Sequence, residues 1–179
     1  IRRMFHVYRS LIFILCSLLC LPSCIRDDSP SGAEGVRPGD RLPDFTVSLN
    51  DNTLVVASDL LGKVAVLVFF HTECPDCQKE FPVVQRLYDY YRDNSTVKIY
   101  CISREEPADE VAAYWQENGL TIPYSPQSGR EVYNLFSERG IPRIYVSDKH
   151  LVVYSVYSDN PIAAFEQLKS DVEYCLNGN

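Results

Sequence analysis

Histidine is scarce in this chain, at three residues in 179, and no second cysteine pair accompanies Cys74 and Cys77. A structural zinc site takes four cysteine or histidine ligands, and after residue 23 only His71 and His150 remain to complete one, so a zinc module is disfavoured. Positive charge is short as well: 17 Lys and Arg stand against 24 Asp and Glu, which argues against a nucleic-acid partner. No apolar run approaches the roughly 20 residues that span a bilayer as a helix, and there is no internal repeat or low-complexity tract. What is present, 46% hydrophobic and 23% charged residues, suffices for one ordinary core and one globular domain.

The N-terminus reads separately. Arg2, Arg3 and Arg9 precede an apolar run over residues 11–21, the pattern of a secretory signal with a basic head and a short hydrophobic stretch. LPSC, residues 21–24, resembles the lipobox of bacterial lipoproteins, in which an aliphatic residue stands three before a cysteine that is lipidated and becomes the first mature residue. Pro22 departs from the small residue usual there. Cys16 and Cys20 follow leucines, which leaves Cys24 as the expected lipidation site. IRDDSPSGAEGVRP, residues 25–38, has almost nothing to bury and reads as a flexible tether. The expected organisation is a lipoprotein signal peptide at 1–23, a lipid-anchored tether at 24–38 and a folded domain at 39–179, held to a bacterial membrane in the cell envelope, on the periplasmic side or at the cell surface. Removing residues 1–23 leaves 14 basic against 24 acidic residues, a formal charge of −10.

Within the domain, residues 44–56 alternate in places around Asn50-Asp51-Asn52 and predict a β-hairpin. VAVLVFF, residues 64–70, is apolar throughout and β-branched, as a strand covered on both faces should be. Cys77, Phe81, Val84, Tyr88 and Tyr91 recur every three or four residues and predict a helix over 74–92, with a kink where Pro82 interrupts it. A strand is expected at 97–103 and a helix at 107–119, with Pro107 in its first turn and Gly119 as its stop. Another helix is expected at 129–140, two strands over 142–157, and a closing helix from Pro161 to 176. Alternation of strands with helices, followed by a hairpin and a last helix, implies an α/β sandwich with a mixed central sheet.

The pair Cys74/Cys77 then admits three readings. Zinc lacks its second half. A structural disulfide between residues three apart closes a very short loop and removes little unfolded-state entropy. A redox centre accounts for the placement: the first N–H groups of a helix are unpartnered and its dipole is positive there, which favours a thiolate at Cys74, and thiolate is the attacking species. Pro75 suits the first helical position. Cys77, one turn on, can attack a mixed disulfide formed at Cys74. Cys74 is thus the candidate nucleophile and Cys77 the resolver. Cys101 and Cys175 read most simply as buried free thiols, and His71 is given no role.

Together with Glu80, Pro82 and RGIPRIYVSD at 139–148, these residues make the chain over 39–175 resemble the thioredoxin fold, and within it the membrane-tethered TlpA/ResA-like thiol-disulfide oxidoreductases of bacterial envelopes. GDRLPDF at 39–45 and DLLGKVAVLVFF at 59–70 carry the likeness as well. The resemblance implies a thioredoxin-like three-layer sandwich with an N-terminal hairpin, and no cofactor or metal. It implies protein thiols and disulfides as substrates and an upstream electron donor as partner. For single residues it implies a redox-active disulfide between Cys74 and Cys77, a proton-transfer role for Glu80 beneath it, and a cis Ile141–Pro142 bond beside Cys74 where the Ile141 backbone can pair with substrate.

Two departures bear on direction. Glu73 stands where the family commonly has tryptophan, and Pro75-Asp76 reverses the more usual order of the enclosed residues. Acids beside the thiols oppose a thiolate, which predicts a reducing couple and hence a reductase. Two rivals remain to be separated: a peroxide reductase of the same broad fold, since HTECP loosely resembles a peroxidatic loop, and a copper-delivery protein with His150 as third ligand.

Overall fold

The computed structural model describes residues 35–178. The expected signal peptide, Cys24 and most of the tether lie outside the described residues. Strand β1 (Thr46–Ser48) pairs antiparallel with β2 (Leu54–Val56) as a separate two-stranded sheet, with Thr46 opposite Val56. The Asp51 carboxylate accepts the Thr53 N–H inside the turn, the local bond that makes aspartate a turn residue. A 3₁₀ turn at Ala57–Leu60 leads into β3 (Val64–Phe70), followed by helix α1 (Pro75–Tyr91), β4 (Val97–Ser103), α2 (Ala108–Glu117), β5 (Tyr124–Ser125), α3 (Glu131–Phe136), β6 (Arg143–Ser147), β7 (Val153–Tyr157) and α4 (Phe165–Asn177).

The main sheet runs β5-β4-β3-β6-β7, with β3 parallel to β4 and antiparallel to β6. Every residue of β3 is buried, and the two-residue period of a strand sends its side chains alternately into two cores. Val64, Val66, Val68 and Phe70 pack with α1, α2 and α4 on one face. Ala65, Leu67 and Phe69 pack with the hairpin and α3 on the other. The fold is therefore a three-layer α/β sandwich of thioredoxin type, and β3 delivers its C-terminal end to the residues that precede Cys74. Pro82 lies inside α1 without ending it.

Several boundaries differ from expectation, each for a tertiary reason. Helix α3 stops at Phe136 rather than running to 140, because Ser137 turns to an extended conformation and its hydroxyl donates to the Arg139 carbonyl. Gly140, at φ +86°, belongs to the following loop. Helix α4 begins at Phe165 rather than Pro161: the Ala163 N–H is directed at the Glu80 side chain, and the Asn160–Pro161 bond is cis. Pro107 is the N-cap of α2 instead of a first-turn residue. Strand β5, only two residues long, is not foreseen at all; it is held by pairing with Cys101 and Ile102 of β4. Residues just before 39 also make contacts: the Val36 N–H donates to the Phe136 carbonyl and Val36 packs against the second core.

Candidate active site

Cys74 is the N-cap of α1, with Pro75 at the first helical position. Its carbonyl accepts the Gln78 N–H at 3.0 Å, and its N–H donates to the His71 carbonyl at 3.1 Å. The backbone on both sides of the sulfur is thereby fixed. Cys74 is half-buried, whereas Cys77 is 1% exposed. That asymmetry separates the two sulfurs chemically: a visiting molecule can reach the first and not the second. Burial raises the Cys77 thiol far above the usual range, and its hydrogen bond with Cys74 and the charge of that neighbour add to the rise; the His71 backbone and Arg104 pull the other way. No bond joins the two sulfurs.

The Cys74 Sγ donates to the Ile141 carbonyl oxygen at 3.7 Å, and the Ile141–Pro142 peptide bond is cis, as the resemblance implies. The Tyr133 hydroxyl, donating to the Gly140 carbonyl at 2.6 Å, holds this loop from the opposite core. Glu80 lies one turn beyond Cys77, on the buried side of α1, and is 1% exposed. Its Oε2 accepts the Ala163 N–H at 3.3 Å, while Oε1 has no hydrogen-bond partner among the described residues. Burial pushes this carboxyl up to about 7 against the partial relief of the Ala163 bond. Of the residues singled out in the sequence, Cys74 lies against Ile141 of the cis Ile141–Pro142 bond and Cys77 follows it inside α1, while Glu80 lies a further turn along the buried face of that helix, against Ala163.

A family model, described as the AhpC/TSA family, matches residues 38–156. The chain belongs to the AhpC/TSA family. Within it, the chain is a ResA/TlpA-like thiol-disulfide oxidoreductase of the thioredoxin superfamily. It is 30% identical over 146 residues to the thiol-disulfide oxidoreductase ResA of Oceanobacillus iheyensis, an alignment covering 78% of this chain and 73% of the relative. ResA of Bacillus subtilis is 25% identical over 145 residues, covering 81% and 79% of the two chains. Among solved structures, a candidate protein disulfide isomerase from Bacteroides thetaiotaomicron superposes with a TM-score of 0.71 at 28% identity, over 82% of this chain and 92% of the other.

In this AhpC/TSA-family chain the copper arrangement fails on geometry. His150 sits in the β6–β7 turn beside Lys149, whose carbonyl accepts the Gly62 N–H. That is the start of β3, and the cysteines follow its far end, about 20 Å away along a seven-residue strand. Among the described residues no group of three or more His, Cys, Asp or Glu is placed to hold a metal. The acidic flank is also weaker than the sequence implies: Asp76 is paired with Lys79 at 2.7 Å, leaving Glu73 as the exposed acid next to the nucleophile. Cys101 and Cys175 are free and buried within the same core.

The sequence reading misses Thr72 and Glu106. Glu106 is fully buried, and both of its oxygens accept the Thr72 N–H, at 3.1 and 3.2 Å, while the Thr72 hydroxyl donates to Oε1. Gln78 Nε2 closes the turn from the other side by donating to the Thr72 carbonyl at 2.8 Å. His71 Nδ1 lies 3.6 Å from Glu106 and accepts the Glu73 N–H. This carboxylate pins the loop that presents Cys74. Glu106→Gln replaces one acceptor with a donor facing another donor and is expected to cost about 1–3 kcal/mol in urea denaturation. The adjacent Glu105 makes a surface pair with Arg130, and Glu105→Gln should cost at most about 1 kcal/mol.

Proposed function

We propose that the protein reduces disulfides in client proteins through the pair Cys74 and Cys77. In the reading we draw, the Cys74 thiolate attacks one sulfur of the client disulfide, and the other client sulfur leaves as a thiolate and takes up a proton. Cys77, losing its proton to Glu80, then attacks the Cys74 sulfur. The second client thiolate departs, the client gains two electrons and two protons overall, and the protein is left with a Cys74–Cys77 disulfide. An upstream thiol donor returns it to the dithiol state. The observation that carries this reading is the placement of a half-exposed Cys74 at the helix N-cap with a buried Cys77 one turn behind it.

The position of Glu80 supports a proton-relay role, since the Cys77 thiol is driven strongly toward its protonated form by burial and a buried carboxyl with a pKa of about 7 can accept that proton near neutral pH. Ile141, whose carbonyl faces Cys74, is the proposed backbone contact for an extended client chain. Residues 1–23 serve as a lipoprotein signal and Cys24 as the lipid anchor, so that the domain works in the cell envelope on a tether. Among the described residues no helix is long and apolar enough to cross a membrane.

A reducing direction is supported by the neighbours of Cys74. A strong oxidant requires a stabilised reduced sulfur, whereas here Glu73 is exposed beside the nucleophile, Lys79 is paired with Asp76, and the Cys74 thiol faces a carbonyl oxygen. Equilibration of the pair with a dithiol buffer is expected to give a potential near thioredoxin's, about −270 mV, rather than near the roughly −120 mV of a disulfide-introducing enzyme. A value at the latter end contradicts the reductase direction.

A further inference from the structure

The 137–142 segment that brings Ile141 to Cys74 lies between α3 and β6 and belongs to no helix or strand, so its carbonyls need partners outside a backbone ladder. Side chains supply them in succession. The Tyr145 hydroxyl donates to the Phe136 carbonyl at 3.1 Å and Arg130 Nη2 to that of Glu138 at 2.7 Å. The Ser137 hydroxyl and Arg143 Nε donate to Arg139 at 3.0 and 3.1 Å, and the Tyr133 hydroxyl to Gly140 at 2.6 Å. The next carbonyl, that of Ile141, faces the Cys74 sulfur. The loop is thus fixed before a client arrives, which removes an ordering cost from binding.

Two of these donors form a unit. Arg130 Nη1 pairs with Glu105 at 2.8 Å while its guanidinium lies 5.0 Å from the centroid of the buried Tyr133 ring, and the Arg104 guanidinium lies 4.7 Å from the same centroid. Consecutive carboxylates therefore serve two loops. Glu106 accepts the Thr72 N–H in the turn that presents Cys74, whereas Glu105 holds Arg130, which holds the Glu138 carbonyl. Glu105 has a φ of +55°, a left-handed conformation that residues other than glycine rarely adopt, and it is kept there by its own N–H on the Gly129 carbonyl and the Glu106 N–H on the Gln127 carbonyl. Outliers held in this way cluster at active sites and ligand clamps.

We propose that Arg130 and Tyr133 are positioning residues for client binding: braced by Glu105, they fix the Gly140–Ile141 backbone so that an extended client chain can pair with Ile141 while its disulfide meets Cys74. The proposal rests on the reading of Ile141 as the client contact and deepens it. An extended polypeptide gains from the brace, because strand-like pairing draws its affinity from main-chain bonds to a preformed backbone. A small disulfide engages only the sulfur and gains nothing. The unit touches no reacting atom and leaves the electron transfer to the two cysteines.

The test uses the reduced full-length chain, an extended Ser/Gly peptide carrying one intramolecular disulfide, and 4,4′-dithiodipyridine, a small neutral disulfide. Single-turnover rates against peptide concentration separate the half-saturating concentration from the limiting rate. R130M is expected to raise the half-saturating concentration about tenfold, as for a loop that must now be ordered on binding, with the limiting rate and the rate on the small disulfide each within about twofold of the parent's. E105A should follow R130M, whereas E105Q, which keeps an acceptor for Arg130, should behave as the parent does. Y133F, which removes only the bond to Gly140 and keeps the ring, is expected to act in the same direction by about threefold, and it decides the matter if R130M folds poorly. Parental half-saturation in R130M and Y133F, or loss of peptide and small-disulfide rates in equal proportion, overturns the positioning role alone. An unaltered protein that reduces the small disulfide but shows no saturation by the peptide overturns the Ile141 contact, and one that fails to reduce the small disulfide overturns the Cys74 reading as well.

Discussion

Replacing Cys74 by Ser is expected to lower disulfide exchange by on the order of 10³-fold or more, because a hydroxyl does not supply the thiolate that attacks. Cys77 should not rescue it. With 1% of its surface exposed and its thiol held protonated by burial, it meets neither requirement for a first attack. Cys77→Ser is expected to fail differently: Cys74 still attacks, the second step has no sulfur to perform it, and the client stays attached. Non-reducing electrophoresis of the variant mixed with a disulfide-bonded client should show a covalent one-to-one adduct that reductant dissolves, and mass spectrometry of such adducts from cell-envelope extracts would name the clients. The same variant also tests the peroxide rival. Rapid single oxidation of Cys74 to a sulfenic acid by peroxide in Cys77→Ser, one peroxide consumed per protein and reversed only by added thiol, would favour the peroxide rival, whereas the exchange reading expects no such rapid reaction.

The contrast between those two variants depends on a difference in burial that the sequence conveys only in part. The order of the cysteines, the proline between them and the helical period after them make a nucleophile at the N-cap and a resolver on the inner face legible from residues alone, and the apolar run at 64–70 announces a strand between two cores. Glu106 is not legible. It stands beside Glu105 in an exposed-looking EEP stretch, yet one carboxylate is fully buried and the other half exposed, a distinction made by the Thr72 loop arriving 34 residues earlier in the chain. The late start of α4 has the same origin. Periodicity extends the helix back to Pro161, and only contact with Glu80 explains why the Ala163 N–H serves the site instead. What escapes the sequence, then, is polar and long-range: local pattern reports which residues are hidden but not which distant group satisfies a hidden charge.

Glu80→Gln is expected to stabilise the protein and slow it at once. The Glu80 carboxyl, raised by burial from 4.5 to about 7, binds a proton more tightly in the folded chain than in the unfolded one. Its contribution to stability is therefore fully present below about pH 4.5 and is lost as pH rises through about 7, for a total of about 3 kcal/mol. Glutamine carries no charge to bury at any of these pH values, and its carbonyl can still accept the Ala163 N–H. The variant should match the parent in thermal unfolding near pH 4.5 and exceed it by roughly 5–10 °C at pH 8 to 9. Exchange should move the other way. Without a carboxylate to take the Cys77 proton, release of the mixed disulfide is expected to slow by about 10²-fold near neutral pH, while alkylation of Cys74 by a neutral reagent, which needs no resolver, changes far less. Misfolding would lower both stability and rate, so a more stable and slower enzyme isolates the proton-transfer role; unchanged release with the same gain in stability would reduce Glu80 to a buried charge that the fold tolerates.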